Sequence, residues 1–318
     1  MRIDRRGVLG AASLLAAWPG YSQAQSALDG AATIIVPYAP GVTDQETRAL
    51  APLLRARLGQ VVVVDNRAGA GGAIGGRAVA TARPDGRTLL YAAAAVVSVL
   101  PLLPNAPYAF EDLVPLARVT SNPHLLAIRA GLPYRDIGAM VAFARANPER
   151  VVFASSGAGT AVHLAGEAMA LAAGVKFLHA PFQGLNPALT AVLGGHADFV
   201  IGLPVAIMPA VQDGRLRALA QFGETRNPLA SEVPTLTESG IPLAQTSDIG
   251  LFAPRGLPPA ISMAWTEATR AAVASAEFRE FAGRAQVSPA FLPGEDFGTI
   301  LQRERARYSA LIPLLNLT

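Results

Sequence analysis

The chain has 318 residues, a net charge of +3 and no cysteine, which excludes disulfides, thiolate nucleophiles and cysteine-held metals. Hydrophobic residues make up 51% and charged residues 15%, enough apolar material for two domains and little sign of disorder. Aromatic content is 6%, and no Lys/Arg run with interleaved aromatics occurs, so the basic balance does not mark a nucleic-acid surface.

Residues 1–26, MRIDRRGVLGAASLLAAWPGYSQAQS, have the form of an export signal. A basic start leads into the apolar run Val8 to Trp18, and the small residues Ser22 and Ala24 suit a signal peptidase. Arg5-Arg6 resembles a twin-arginine signal. The apolar run is shorter than the roughly 20 residues a membrane span needs. Removal of this segment, with a mature chain starting near Gln25 in the periplasm of a Gram-negative-type bacterium, is expected.

Thr33 to Tyr38 reads as a buried strand, followed by the loop APGVTD and an amphipathic helix closed by Gly59. Thr43 with Glu46 three residues on has the spacing of a capping box, which starts the helix at that point. Val61 to Asp65 is β-branched and short, as in a parallel sheet. The block NRAGAGGAIGGRAVATARPDGRTLLYAA gives a glycine-rich turn, a helix, a Pro-Asp-Gly turn and a strand. The dinucleotide pattern G-x-G-x-x-G fails there because position 74 is Ile74, and no Walker motif occurs, so no cofactor is expected. The glycines are assigned to close backbone packing and a sharp turn.

β-rich sequence runs from Asp112 to Arg129, and a helix follows from Tyr134 to Ala146. Strand Val151 to Ala154 then leads through FASSGAGTAVH into a helix from Thr160 to Ala173. Strand Phe177 to Phe182 leads to a helix started by Asn186-Pro187. HADFVIG and RLRALAQF read as strands, as does Ile249 to Ala253, and two C-terminal helices close the chain. This alternation predicts an α/β fold with two largely parallel sheets.

FASSGAGTAVH carries the chemical question. The nucleophile elbow G-x-S-x-G fails for both Ser155 and Ser156, since Phe153 and Ala154 stand where its first glycine belongs. A strand running through small residues into a helix N-terminus also presents free N–H groups and the positive end of a helix dipole, a cradle for an anion. A plain N-capped turn with no ligand is the third reading. PYAPGVTD repeats the arrangement, and ligands of open α/β sheets bind outside the carboxyl ends of strands.

IIVPYAPGVTD, VVVVDNRAGAGGAIGGRAVATARPDGRTLLYA, FASSGAGTAVHLAGEAMALAAGV, APFQGLNPALTAVLGGHAD, GRLRALA and GLFAPRGLPPAI together resemble the substrate-binding receptors of tripartite tricarboxylate transporters, the Bug family. The resemblance covers nearly all of the chain after the export signal. It implies a periplasmic-binding-protein fold, type II-like, with two α/β domains around a ligand cleft and crossing hinge strands. Residues 27–122 and 247–318 would make one domain and 123–246 the other, crossing near Ser121–Arg129 and Gln245–Ala253.

The resemblance also implies no catalysis, a small carboxylate or amino-acid-like ligand, membrane permease subunits as partners and a monomeric receptor. Carried over position by position, the ligand loops are Tyr38, Pro40, Gly41, Val42, Thr43 and Asp44, and Ser155, Ser156, Gly157, Gly159 and Thr160. His163 falls on a helix position behind the second loop. The chain departs from the family pattern in three places. The first loop lacks one glycine, Gln183 replaces a basic residue, and Thr246-Ser247-Asp248 stands where an aromatic is common. A carboxylate at Asp248 facing the cleft would favour a ligand that also bears a cation. An exported serine hydrolase and a receptor serving a signalling protein are the alternatives.

Overall fold

The computed structural model describes residues 30–157 and 160–314. The export-signal reading of residues 1–26 and the site position Gly159 lie outside the described residues. The chain lays down β1 (Ala32–Val36), α1 (Val42–Leu58), β2 (Val62–Asn66), α2 (Ala73–Ala80), β3 (Thr88–Ala93), α3 (Ala95–Ser98) and β4 (Leu113–Pro123). One residue, His124, separates β4 from β5 (Leu125–Arg129), which opens a second sheet. There follow α4 (Ile137–Ala146), β6 (Val152–Ser155), α5 (Ala161–Ala173), β7 (Leu178–Pro181), α6 (Leu185–Leu193), β8 (Phe199–Gly202), α7 (Pro204–Gln212) and β9 (Leu216–Gln221). The chain then returns to the first sheet with β10 (Thr246–Pro254), α8 (Pro259–Val273), α9 (Ala276–Ala285), β11 (Pro289–Pro293) and α10 (Gly294–Leu311).

The sheet orders are β11-β4-β10-β3-β1-β2 and β7-β6-β8-β5-β9. Both are mixed, where the helix–strand alternation predicts largely parallel ones. β1 to β3 and β6 to β8 are parallel sets. β4, β10 and β11, like β5 and β9, run antiparallel to their neighbours. The reason is the crossing: the chain enters the second sheet along β4–β5 and comes back along β9–β10 in the opposite sense. None of the described helices is long and apolar enough to cross a membrane.

Three other expectations are corrected. Three helices and a strand follow β10, not two helices. α6 begins at Leu185 with Gly184 as its N-cap, two residues ahead of the Asn186-Pro187 start. The capping box at Thr43 and Glu46 does not form; Gly41 is the N-cap of α1. Glu46 instead points into the core at 0% exposure, where Oε2 accepts from the Tyr91 hydroxyl at 2.7 Å and Thr120 Oγ1 at 3.4 Å. Its Oε1 has no partner.

The glycine block does serve close packing. A Cβ on Gly75 would come within 2.7 Å of Pro37 Cβ, and one on Gly76 within 2.4 Å of the Tyr108 hydroxyl. α2 thereby lies against the end of β1, directly beneath the first loop.

The two halves are joined at one register. The Phe222 N–H donates to the His124 carbonyl at 2.9 Å, and the Gln245 N–H to the Phe222 carbonyl at 2.6 Å. α10 is a second join. Phe297 and Leu301 pack with Leu90, Ala92 and Phe252 of the first half, while Tyr308 and Leu311 complete the core around Phe153, Leu164 and Phe222 of the second. Truncating one such buried side chain costs about 2–5 kcal/mol.

Burial pushes the Glu46 carboxyl up to about 7 from its ordinary 4.5. Between those values the unfolded chain has ionised and the folded chain has not, so stability falls as pH rises through the window. His124 and His179, held down to about 4 by burial, act oppositely, losing stability as pH falls from 6.5. The clean measurement is therefore a difference. Glu46→Gln, compared with wild type by urea unfolding, is expected to gain relative stability on the order of 3 kcal/mol between pH 4.5 and 7. A pH-independent difference would place an ionised carboxylate in the fold.

Candidate ligand-binding site

The register shows where strand ends gather. The C-terminal end of β3 pairs with the start of β10, Ala93 opposite Ile249, and Pro123 at the end of β4 lies opposite Thr246. In the second sheet Gly202 at the end of β8, and Gln221 at the end of β9, both pair with Leu125. The carboxyl ends of β1–β3 and of β6–β8 therefore lie at the level of the crossing, and the helices that follow begin there.

The first loop leaves β1 through Pro37 and Tyr38. The Tyr38 phenol is pushed up to about 12 by burial, so it stays a neutral donor. Pro40, Gly41 and Val42 are exposed, and no side chain caps the N-terminus of α1 among the described residues. Its first N–H groups are left for solvent or an anion. Thr43 is half-buried, and its carbonyl accepts from Thr47 Oγ1 at 2.7 Å.

Asp44 is buried and accepts from Arg48 Nε at 3.0 and 2.9 Å, which holds its carboxyl below the usual range. Its charge is thus balanced within the helix. Asn66, at the end of β2, donates from Nδ2 to the Tyr38 carbonyl at 3.1 Å and accepts from Arg48 at 3.1 Å. Asn66 pins this loop, a role that only the DNRAGAGG block hinted at.

The second loop leaves β6 at Ser155, which is 0% exposed. Its Oγ lies 2.6 Å from His179 Nε2 on β7 and 3.2 Å from the Gly157 carbonyl. Gly157 has φ 133°, a left-handed value that favours glycine. Thr160 caps α5: its Oγ1 accepts from the His163 N–H at 3.3 Å, donates to the Gly157 carbonyl at 2.8 Å and accepts from Ser156 Oγ at 3.2 Å. His163 stacks on His179 at 3.8 Å and 12°, with Glu167 Oε1 3.6 Å from His163 Nε2.

The Ser155–His179 distance is that of a nucleophile and a base. Burial first, and the neighbouring His163 second, hold His179 down to about 4, a weak base. The serine beside it is sealed from solvent. These groups brace the loop from behind, and Ser156, half-buried, is the hydroxyl left on its open side. Sequence reading missed His179, and nothing in HLAGEAMALAAGVKFLHA marks it.

Gln183 is exposed, next to Phe182, whose N–H donates to the Ser155 carbonyl at 3.0 Å. Asp248 lies elsewhere. It is 3% exposed, accepts from Thr246 Oγ1 at 2.7 Å and sits 3.5 Å from an Arg118 Nη. It lines a cavity of about 550 Å³ bounded by β11, the 223–227 segment and α10, and neither ligand loop contributes to that lining. Among the described residues no cluster of His, Asp and Glu is arranged to hold a metal.

The profile of the tripartite tricarboxylate transporter family receptor matches residues 47–317. A TctC solute-binding protein from Polaromonas, solved without ligand, is 31% identical, with a TM-score of 0.84 over 90% of this chain and 99% of that one. MatC from Rhodopseudomonas palustris, with bound malate, is 26% identical, with a TM-score of 0.68 over 89% and 99%. A second R. palustris protein, with adipate, is 26% identical, with a TM-score of 0.70 over 90% and 97%. With its two mixed sheets in the arrangement of those periplasmic binding proteins, the chain belongs to the tripartite tricarboxylate transporter receptor family, and it is a binding protein, not an enzyme.

Proposed function

We propose that this receptor captures a small dicarboxylate between loops 38–44 and 155–160 and delivers it in the periplasm to the permease of a tripartite tricarboxylate-type transporter. The observation that carries the reading is the pair of helix N-termini, α1 and α5, one on each half and both at the level of the crossing. A ligand with a carboxylate at each end engages both at once. Malate and adipate, bound by two relatives, are such ligands. Asp248 is paired with Arg118, which removes the motive for a compensating cation on the ligand. That favours plain dicarboxylates over amino acids. Residues 27–122 with 247–318, and 123–246, would then rotate as two domains about His124, Phe222 and Gln245.

Malate and adipate should raise the unfolding temperature; at 100 times its dissociation constant a true ligand adds about 2.7 kcal/mol. Ser156→Ala removes a hydroxyl donor to a charged group, worth about 1.5–3 kcal/mol, so calorimetry should read an affinity loss of at least about tenfold with the fold intact. Unchanged affinity would put the ligand elsewhere. An acyl-transfer probe should label neither Ser155 nor Ser156.

Export is tested separately. N-terminal sequencing of periplasmic protein is expected to start near Gln25, and retention of Met1 in the cytoplasm would overturn the location.

A further inference from the structure

The cavity that holds Asp248 lies on the opposite side of the crossing from the ligand loops. In the first sheet β11 flanks β4 on one side, while β3, β1 and β2 lie beyond β10 on the other. In the second sheet β9 is the edge away from β8, β6 and β7. The cavity is bounded by Ser288, Ala290 and Leu292 around β11 and by residues 223–227 just after β9. The β11 and β9 edges therefore face each other across it, which leaves β1 and β6 to face each other across the cleft. At about 550 Å³ it has the size of a small-molecule site.

Its lining is unevenly satisfied. Four arginines face three carboxyls there. Arg118 is committed to the Ala290 carbonyl at 2.9 Å and to Asp248, and Arg226 to Glu238 at 2.9 Å and the Ser231 carbonyl at 3.0 Å. Glu304 accepts from Ser98 Oγ at 2.6 Å. Arg303 and Arg307, one turn apart on α10, form no ion pair within 4 Å among the described residues. Gln245, 8% exposed, also lines the cavity, but its Nε2 donates to the Tyr308 hydroxyl and its Oε1 is closed off from the open space. The wall thus offers two guanidinium groups with no direct hydrogen-bond or ion-pair partner among the described residues, Arg307 lying within the field of Glu304.

We propose that this cavity is a second binding site, for a small oxyanion that Arg303 and Arg307 hold. Inorganic phosphate and a carboxylate such as malate share that chemistry. The proposal rests on the cleft reading only in counting this site as the second. Inorganic phosphate and malate, titrated separately by calorimetry into the exported chain, into the double variant Arg303→Gln/Arg307→Gln and into Ser156→Ala, test it. Thermal unfolding checks that each variant folds.

The expected result is that at least one of the two anions binds with an affinity that falls about tenfold or more in the arginine variant and stays unchanged in Ser156→Ala. No binding of either anion to wild type at millimolar concentration overturns the site. So does an arginine variant that keeps the wild-type affinity for both anions. Binding lost only in Ser156→Ala puts the anion in the cleft, which sinks this proposal and leaves the cleft reading standing. If instead every anion's binding depends on the arginines and none on Ser156, the cavity stands and the cleft reading falls.

Discussion

Two backbone hydrogen bonds, Phe222 to His124 and Gln245 to Phe222, set the register on which the rest of the architecture depends. They align three chain segments at the one level where the first sheet passes into the second. Because β1 to β3 run toward that level and β6 to β8 run toward it from the other side, the helix N-termini of both halves open there. A shift of one residue would exchange the side chains of β5 and β10 between the two cores that each strand separates.

The two loops proposed to hold the ligand present mostly neutral or neutralised groups. Tyr38 stays protonated, Asp44 is cancelled by Arg48, and Gln183 is an exposed neutral side chain. On the proposed reading, the attraction for an anion would come from peptide dipoles and hydroxyls, whose positions the scaffold fixes in advance. That places the burden on the residues behind the loops. Asn66 holds the first from β2, and the stacked His163 and His179 with Ser155 hold the second from β7. None of these need touch a ligand to matter for it.

The strand and helix order was legible because buried β-branched runs and capped amphipathic helices alternate clearly. Gly59 and Thr160 end or begin helices as their chemistry suggests, whereas the helix read from Tyr134 starts at Ile137, capped by Asp136. Direction within the sheets was not legible, since parallel and antiparallel strands of the same length and burial read alike. Glu46 misled because a Thr-x-x-Glu spacing looks the same whether the carboxylate turns to the backbone or into the core. Asp248 could not be placed from its neighbours, because its partner Arg118 is 130 residues away in sequence. His179 was silent for the same reason: its meaning lies in Ser155, on an adjacent strand.

The way α10 is shared between the halves bears on how the chain is made. Ordinarily an N-terminal domain folds while the rest of a chain is still being synthesised. Here the first sheet lacks β10 and β11, and the second core lacks Tyr308 and Leu311, until the last helix exists. Neither half can finish on its own. The contacts that complete both cores are therefore long-range in sequence, the kind that slow a folding search. Completion of either core is thereby tied to the last helix of the chain.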